Sequence, residues 1–247
     1  MEYGICTQSA IAMRKENSHA SEMVSQLLYN ELYTKLDEKS EWVLIRTELD
    51  QYEGWISAKQ HHRISENEFE QLKAEKLYIV NQSVANHKDK IISFGTPLFE
   101  PAEFATEMPQ TFQPQIMIDN ARKLLGAPYL WGGRTMMGID CSGFVQLCAR
   151  SAGLLLPRDA SQQINCGELV YFLQETQPGD LAFFGNEDGR ITHVGIIIGN
   201  EQIIHASGEV RIDYLDQTGI FNKERNMHTH QLVGIKRMIC ITLKKVD

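Results

Sequence analysis

The sequence predicts an α+β protein in which a small all-β barrel precedes a domain of helices followed by a sheet. Through residues 1 to about 62, short apolar or alternating segments are separated by polar turns, and this spacing is typical of a small barrel. From residue 115 onward, helical patterns come first and strand patterns follow, which favours an α+β domain. The 247 residues are 43% hydrophobic and 23% charged, which is a globular rather than a disordered composition.

The first half of the chain contains several predicted strands and one predicted helix. Residues 64–76 (ISENEFEQLKAEK) are charged and helix-prone. The sequence assigns no function to residues 64–110, which either complete the barrel or brace the two halves. The predicted strands are AIAMR (10–14), SQLLY (25–29), LYTKL (32–36), EWVLIRT (41–47), EGWIS (53–57), LYIVNQS (77–83) and KIISFGTPLF (90–99).

A proline-containing stretch separates the two halves. Residues 101–114 carry three prolines and are typical of a linker. We therefore expect a barrel with an extension at 1–105 (core 1–62), a linker at 106–114 and a second domain at 115–247.

The second domain begins with two predicted helices. QIMIDNARKLLG (115–126) has a helical apolar stripe that ends at Gly126, and a second helix is expected over 142–152, with Gly153 as its stop. After residue 178 the patterns are those of strands, namely GDLAFFG (179–185), THVGIIIG (192–199), QIIHAS (202–207) and LVGIKRM (232–238).

Charge and hydropathy exclude several classes of partner. Lys and Arg number 24 and Asp and Glu 32, so the net charge is −8, which argues against binding to nucleic acid or to an anionic membrane. No apolar run approaches the roughly 18 residues that span a bilayer.

The N-terminus lacks the pattern of a secretory signal, so we expect a cytoplasmic protein, or a periplasmic one if a leader has been removed. The oligomeric state is not determined by the sequence, and a monomer is compatible with it.

The cysteines do not form a disulfide framework or a metal site. The five are scattered, with no CxxC pair and no zinc spacing. The sequence also lacks a Walker loop and a GxGxxG motif. We therefore expect neither a metal nor a cofactor.

Cys141 is the best candidate nucleophile. It follows a glycine-rich loop and opens a predicted helix, with Asp140 at the N-cap position. A thiol on the first helical turn feels the positive end of the helix dipole, which favours the reactive thiolate. The other cysteines, Cys6, Cys148, Cys166 and Cys240, are interpreted as structural.

A cysteine nucleophile needs a base, and His193 and His205 are well placed to provide one. They lie on two predicted strands, and a three-residue turn, Gly199-Asn200-Glu201, would put His205 opposite Gly195 and on the same face as His193. A two-residue turn would put the two histidines on opposite faces.

Several segments occur in an order that resembles the NlpC-type cell-wall cysteine peptidases, which have a papain-like fold. They are YLWGG and DCSGF, PRDASQQ (157–163), PGDLAFF (178–184), THVGIIIG and IIHAS, and the resemblance covers residues from about 115 to 247. The first half resembles the bacterial SH3-type barrel, through LLYNELYTKL, WVLIRTE and YEGWIS. The whole architecture resembles the γ-D-glutamyl-L-diamino acid endopeptidases that process murein peptides.

The resemblance implies a role for each matching residue. Cys141 matches the nucleophile, His193 the general base, His205 the polar residue that orients it, and Tyr129 a tyrosine of the oxyanion site. The residues that match substrate-binding positions are Asp140, Ser142 and Ser161, for the D-Glu unit, and Trp131, for a pocket wall. For Tyr129, Asp140, Ser161 and Trp131, a purely structural role stays open.

The barrel of such relatives recognises the free amino group of an N-terminal L-Ala. Glu31 and Tyr52 match best, with Glu53 and Glu66 as rivals and a solvated barrel loop as the alternative. The implied reaction is hydrolysis of the γ-D-Glu–diamino acid bond in murein peptides with a free N-terminal L-Ala, in cell-wall recycling. The alternatives are a non-catalytic peptidoglycan-binding module, and an amidase or acyltransferase on the same fold.

Overall fold

The computed structural model describes residues 1–186 and 188–239, and its contacts divide the chain into two compact units. The first unit comprises Met1–Met108 and Leu130–Ile139. The second comprises Pro109–Tyr129 and the chain from Asp140 onward. The inclusion of residues 130–139 in the first unit is not foreseen by the sequence, and the domain boundaries proposed above stay a prediction.

A seven-stranded antiparallel sheet dominates the first unit, with the strand order β3-β2-β6-β5-β4-β1-β7. Alternating side chains of these strands point inward and form a core around Ile11, Leu27, Tyr33 and Ile45. The strands are β1 (Glu2–Ile5), β2 (Ala10–Arg14), β3 (Met23–Leu28), β4 (Leu32–Lys39), β5 (Trp42–Thr47), β6 (Glu53–Ser57) and β7 (Arg63–Ile64).

Smaller elements complete the first unit. Helix α1 (Glu66–Ala74) begins after Ser65, whose side chain accepts a hydrogen bond from the Glu68 N–H at 3.2 Å, and it buries Phe69. A 3₁₀ turn occupies Ala58–Gln60. The remaining strands are β8 (Tyr78–Val80), β9 (Val84–His87), β10 (Lys90–Ser93), β11 (Pro97–Leu98), β12 (Ala105–Glu107), β13 (Arg134–Thr135) and β14 (Gly138–Ile139).

The second unit packs helices on an antiparallel sheet of order β15-β21-β16-β17-β18-β19-β20, in which β20 also pairs with β21. Its helices are α2 (Pro114–Arg122), α3 (Cys141–Ser151) and α4 (Ala160–Gln163), with a 3₁₀ turn at Leu173–Glu175. Its strands are β15 (Glu168–Val170), β16 (Leu181–Gly185), β17 (Ile191–Gly199), β18 (Gln202–Ser207), β19 (Glu209–Leu215), β20 (Gly219–Asn222) and β21 (Met227–Arg237).

Helix α3 is the central helix of the second unit. All of its eleven residues are buried, and it packs against α2 on one side and against β17 and β18 on another. A helix that is covered all round belongs to the core of its unit. The first residue of this helix is Cys141.

The sequence located many of the strands and missed several others. The predicted α+β class is confirmed, and β2 and β6 have the predicted bounds. β12 lies inside the proline-containing stretch that is typical of a linker, and the other strands that were not predicted are β1, β7, β9, β13, β14, β15, β19 and β20. Cys240 lies outside the described residues, and so does the end of the predicted second domain.

Candidate active site

Cys141 occupies the first position of α3, where backbone N–H groups lack helical partners. Asp140 caps this helix as predicted, because its Oδ1 accepts from the Gly143 N–H at 2.7 Å. The Cys141 sulfur accepts hydrogen bonds from the backbone N–H groups of Ser142 and Val194. Since Val194 follows His193 on β17, the sulfur lies against the strand that carries the candidate base.

Burial opposes ionisation of this thiol. It raises the pKa of Cys141 to about 12, and the negative charge of Asp140 raises that pKa further, whereas the two N–H donors and Arg158 lower it less. The sequence-based expectation that the helix dipole favours a thiolate therefore describes only one contribution. A thiol whose pKa is raised in this way needs a neighbouring base to take its proton before the sulfur can act as a nucleophile.

The two histidines reach the same face of the sheet by a different turn from the one expected. Gly195 pairs with His205, as predicted, but Gly199 pairs with Gln202, so the turn has two residues rather than three. The register shifts between Ile197 and Gly199, and this bulge compensates for the shorter turn. The predicted pairing is confirmed, and the predicted three-residue turn is wrong.

Gly195 is a glycine at the position where the side chain of His205 extends towards His193. A Cβ on Gly195 would lie 2.8 Å from the His205 Cβ, closer than real Cβ atoms approach. With only hydrogen at Gly195, His193 Nε2 and His205 Nδ1 lie 2.8 Å apart and their rings meet edge to face. Both imidazoles are buried, and burial, together with the neighbouring His205 and His230, lowers the pKa of His193 well below its usual value.

The chain of polar groups continues to a residue that the sequence analysis missed. His205 Nε2 lies 3.1 Å from Asp213 Oδ2, and Asp213 is buried on β19. Arg211 donates to both of its carboxylate oxygens, at 2.7 and 3.1 Å. The alternating pattern VRIDYL (210–215) is the signal that could have located this strand and its acid.

A third histidine covers the candidate base, His193. The ring of His230, on β21, stacks on that of His193 with centroids 4.2 Å apart. Burial, and then the nearby His205, lowers the pKa of His230 to about 4, so the ring is neutral at neutral pH. His230 therefore supplies a flat, uncharged surface beside His193.

Tyr129 is held beside Cys141 by backbone pairing. The segment before it runs along β19, with the Gly126 N–H donating to Val210 and the Tyr129 N–H donating to Gly208, at 2.9 and 2.8 Å. Burial, and then the charges of Cys141 and Asp140, raises the pKa of the Tyr129 hydroxyl. The phenol thus keeps its proton and can act as a hydrogen-bond donor.

Of the three residues expected to hold a D-Glu unit, two are buried beside Arg158 and one is exposed to solvent. Asp140 forms a two-pronged ion pair with buried Arg158, at 3.0 and 2.6 Å, and Arg158 also donates to the Ser142 hydroxyl at 2.9 Å. Ser161 lies exposed on α4. Asp140 and Ser142 are thus tied into one buried network, and the substrate roles of all three stay predictions.

The substrate-binding candidates of the first unit are placed as follows. Glu31 is buried, and its two carboxylate oxygens accept from Arg134 at 2.8 and 2.9 Å. Tyr52 is half-buried against the barrel core. Trp131 is 59% exposed, and its Nε1–H donates to Glu22 at 2.7 Å. The rivals are both exposed, with Glu53 paired to Arg46 and Glu66 accepting from the Tyr3 hydroxyl.

The described residues show neither a metal-binding group nor a membrane-crossing helix. Within 1–186 and 188–239, no three His, Cys, Asp or Glu side chains are grouped as ligands of a metal ion. None of the helices in this part of the chain is long and apolar enough to cross a bilayer.

Each half of the chain contains a segment that matches a known protein family. Residues 126–230 match the NlpC/P60 family, and residues 13–60 match the bacterial dipeptidyl-peptidase SH3 domain. The chain carries an NlpC/P60 domain. The expected resemblance is therefore confirmed for both parts, and Cys141, His193 and His205 all lie within the matched NlpC/P60 segment.

Similar proteins include two curated Bacillus enzymes. The chain is 35% identical over 115 residues to a γ-D-glutamyl-L-lysine dipeptidyl-peptidase of Bacillus subtilis (strain 168), covering 46% of this chain and 38% of that protein. It is 28% identical over 232 residues to the γ-D-glutamyl-L-lysine dipeptidyl-peptidase of Bacillus cereus (strain ATCC 10987), covering 76% of this chain and 68% of that protein. Names of this kind support a hydrolase of the cysteine peptidase type.

A solved structure has the same fold over nearly the whole chain. It is a crystal structure of an NlpC/P60 family protein from Bacillus cereus ATCC 10987, with a TM-score of 0.80 and 21% sequence identity. The superposition covers 96% of this chain and 99% of that one. At this identity the likeness shows a shared fold.

Proposed function

We propose that this protein is a cysteine endopeptidase that hydrolyses the γ-D-Glu–diamino acid bond of murein peptides with a free N-terminal L-Ala. The observation that carries the proposal is the arrangement around Cys141. Its sulfur lies at a buried helix N-terminus against β17, where a hydrogen-bonded pair of imidazoles begins at His193. Names of similar proteins support a cell-wall peptidase, and the chemistry of the site supports acyl transfer through a thioester.

His193 acts as the general base. Its Nε2 is engaged by His205, so Nδ1 is the nitrogen that takes the thiol proton of Cys141. The sulfur then attacks the γ-carbonyl carbon of D-Glu, and the electron pair of the C=O bond moves to oxygen. Burial raises the pKa of Cys141 and lowers that of His193, and both shifts favour proton transfer together with attack over a preformed ion pair.

Two donors stabilise the oxyanion. The backbone N–H of Cys141 lies in the first turn of α3, where the helix dipole is positive, and the Tyr129 hydroxyl is protonated at neutral pH. When the tetrahedral species collapses, protonated His193 gives its proton to the leaving amine of the diamino acid. Water, deprotonated by His193, then hydrolyses the thioester and regenerates the thiol.

The requirement for a free N-terminal amine is part of the proposal. Two similar Bacillus proteins bear the name γ-D-glutamyl-L-lysine dipeptidyl-peptidase, and the first unit of this chain matches a dipeptidyl-peptidase SH3 domain, which supports this part of the proposal. In this structure the Glu31 carboxylate is already paired with Arg134, so a substrate ammonium would have to share that carboxylate. The preferred substrates are then small murein fragments, as in cell-wall recycling.

The test is a cleavage assay on defined peptides. The full chain is incubated with L-Ala-γ-D-Glu-L-Lys and its diaminopimelate analogue, each free or N-acetylated, and the released diamino acid is measured by mass spectrometry. We expect release from the free peptides only. Comparable rates on acetylated peptides or on intact sacculi would contradict the free-amine requirement.

Matched cysteine variants test the nucleophile. We expect Cys141→Ser to keep the fold, measured by circular dichroism, and to lose turnover, because a hydroxyl in the same place is a far weaker nucleophile at neutral pH. Cys166→Ser removes a half-exposed cysteine outside the site and should retain activity. Full activity in Cys141→Ser would refute the proposed mechanism.

A further inference from the structure

A buried acid ends the chain of hydrogen bonds that starts at His193. His205 Nδ1 faces His193 Nε2 at 2.8 Å, and His205 Nε2 faces Asp213 Oδ2 at 3.1 Å. His205 and Asp213 are both almost inaccessible to solvent, with side-chain exposures of 1% and 4%. The three side chains therefore form one connected line across β17, β18 and β19.

The strand register places this acid on the correct face. His205 pairs with Arg211, and Asp213 is two residues further along β19, opposite Ile203. Residues two apart on a strand share a face, so Arg211 and Asp213 both lie on the face that carries His205. The acid is thus built into the sheet and is not a loop residue in chance contact.

Asp213 is held in its ionised form. Burial by itself would raise its pKa, but hydrogen bonds from His205 and Arg211 outweigh that effect and lower it below the usual value. Arg211 also pairs with Glu224 at 3.3 Å, which fixes the guanidinium from its other side. An ionised carboxylate can only accept hydrogen bonds.

The direction of every hydrogen bond in the line follows from that constraint. Because Asp213 accepts, His205 must carry its proton on Nε2, and the Nδ1 of a neutral His205 is then an acceptor. His193 must therefore donate from Nε2, which leaves its Nδ1 without a proton. A neutral imidazole in this tautomer is ready to act as a base from Nδ1.

We propose that Asp213 is a positioning residue of the peptidase site, which fixes the tautomer of His205 and, through it, the tautomer and ring orientation of His193. This inference rests on the proposed function for its kinetic consequences, but not for the tautomers themselves. Asp213 acts through two imidazoles and does not touch the reacting atoms. The charged and titratable groups around the line are Cys141 on α3, His230 on β21, Arg211 on β19 and Glu224.

Two substitutions of Asp213 distinguish the loss of its hydrogen-bond acceptor from the loss of its negative charge. Asp213→Leu has a side chain of similar size and no acceptor, so His205 Nε2 loses its partner. Asp213→Asn keeps one oxygen that can accept from both Arg211 and His205. We expect kcat to fall at least about 100-fold in Asp213→Leu with KM changed little, because the base is present in the wrong tautomer. Asp213→Asn should recover most of that loss.

The matched control is another Asp–His pair of the same unit. Asp216 Oδ2 lies 2.8 Å from His228 Nε2, and both are solvent-exposed. Asp216→Asn removes one carboxylate beside a histidine without touching the line to His193, and it should leave kcat within about twofold, as is usual for surface substitutions.

The tautomers are measured directly by long-range ¹H–¹⁵N spectra of protein labelled at histidine. We expect His193 and His205 both to be protonated at Nε2 in the unaltered protein, and this pattern to be lost in Asp213→Leu and kept in Asp213→Asn. A His205 protonated at Nδ1 in the unaltered protein would overturn the inference, as would an unchanged kcat in Asp213→Leu. If the unaltered protein cleaves none of the peptides, the proposed function fails, and the spectra alone then decide the inference.

Discussion

The absence of a side chain at Gly195 leaves a gap beside His205. Substitution of Gly195 by Ala tests whether this gap is needed for the hydrogen bond between His193 and His205. The added Cβ would lie 2.8 Å from the His205 Cβ and 2.8 and 2.9 Å from the Ile203 Cδ1 and Cγ1 atoms. The Ile203 atoms belong to the outer part of a flexible side chain, but the His205 Cβ is attached to the backbone of β18. His205 must therefore shift together with its strand.

The size of the effect follows from that shift. Overpacking of a well-packed core costs about 1–3 kcal/mol in the free energy of unfolding. The hydrogen bond between His193 and His205 is 2.8 Å long and would be stretched beyond the normal range by a displacement of about half an ångström. Because a misplacement of about 1 Å in a catalytic group can cost roughly 100-fold in rate, we expect kcat to fall by tenfold to 100-fold.

Gly234→Ala provides the matched control. Gly234 lies on β21 of the same sheet, and a Cβ at this position meets no atom within 4 Å. Release of the diamino acid gives the rate, and hydrogen exchange measured by mass spectrometry gives the local stability of β17 and β18. We expect Gly234→Ala to match the unaltered protein in both. A Gly195→Ala protein with full activity would refute the argument that His205 needs this gap.

Two further perturbations test the charges described above. Glu31→Gln leaves Arg134 buried without its carboxylate, so the free energy of unfolding of the first unit should fall by roughly 3–5 kcal/mol, while Glu53→Gln at the exposed pair with Arg46 should change it by less than about 1 kcal/mol. Tryptophan fluorescence during urea unfolding measures this, since Trp42, Trp55 and Trp131 all belong to the first unit, and equal effects of the two variants would contradict the reasoning. Because burial raises the pKa of Cys141 to about 12, inactivation by iodoacetamide should accelerate about tenfold per pH unit between pH 6 and 9, as the thiolate fraction rises below the pKa. A plateau near neutral pH would instead show a preformed thiolate–imidazolium pair.

Local patterns were sufficient to predict the core of the fold. Strands β2 and β6 and helix α3 follow from runs of apolar residues and from the Asp140 cap, because both kinds of signal depend on neighbours within a few positions in the chain. Strand β19 also has an alternating pattern, but its charged residues, Arg211 and Asp213, obscured the apolar alternation in the sequence. Arg211 and Asp213 pair with each other along β19, and their further partners, Glu224 and His205, lie outside that strand.

The sequence by itself determined which chemistry is present: a cysteine at a helix start and two histidines on adjacent strands. Only the tertiary structure decided how these groups are joined. The bulge at Ile198 restored a register that a two-residue turn would otherwise have reversed, and the sheet placed Asp213 behind His205. The packing of α3 buried the thiol deeply enough to reverse the expected direction of its pKa. Such outcomes depend on desolvation and on contacts between distant segments, and neither can be calculated from spacing along the chain.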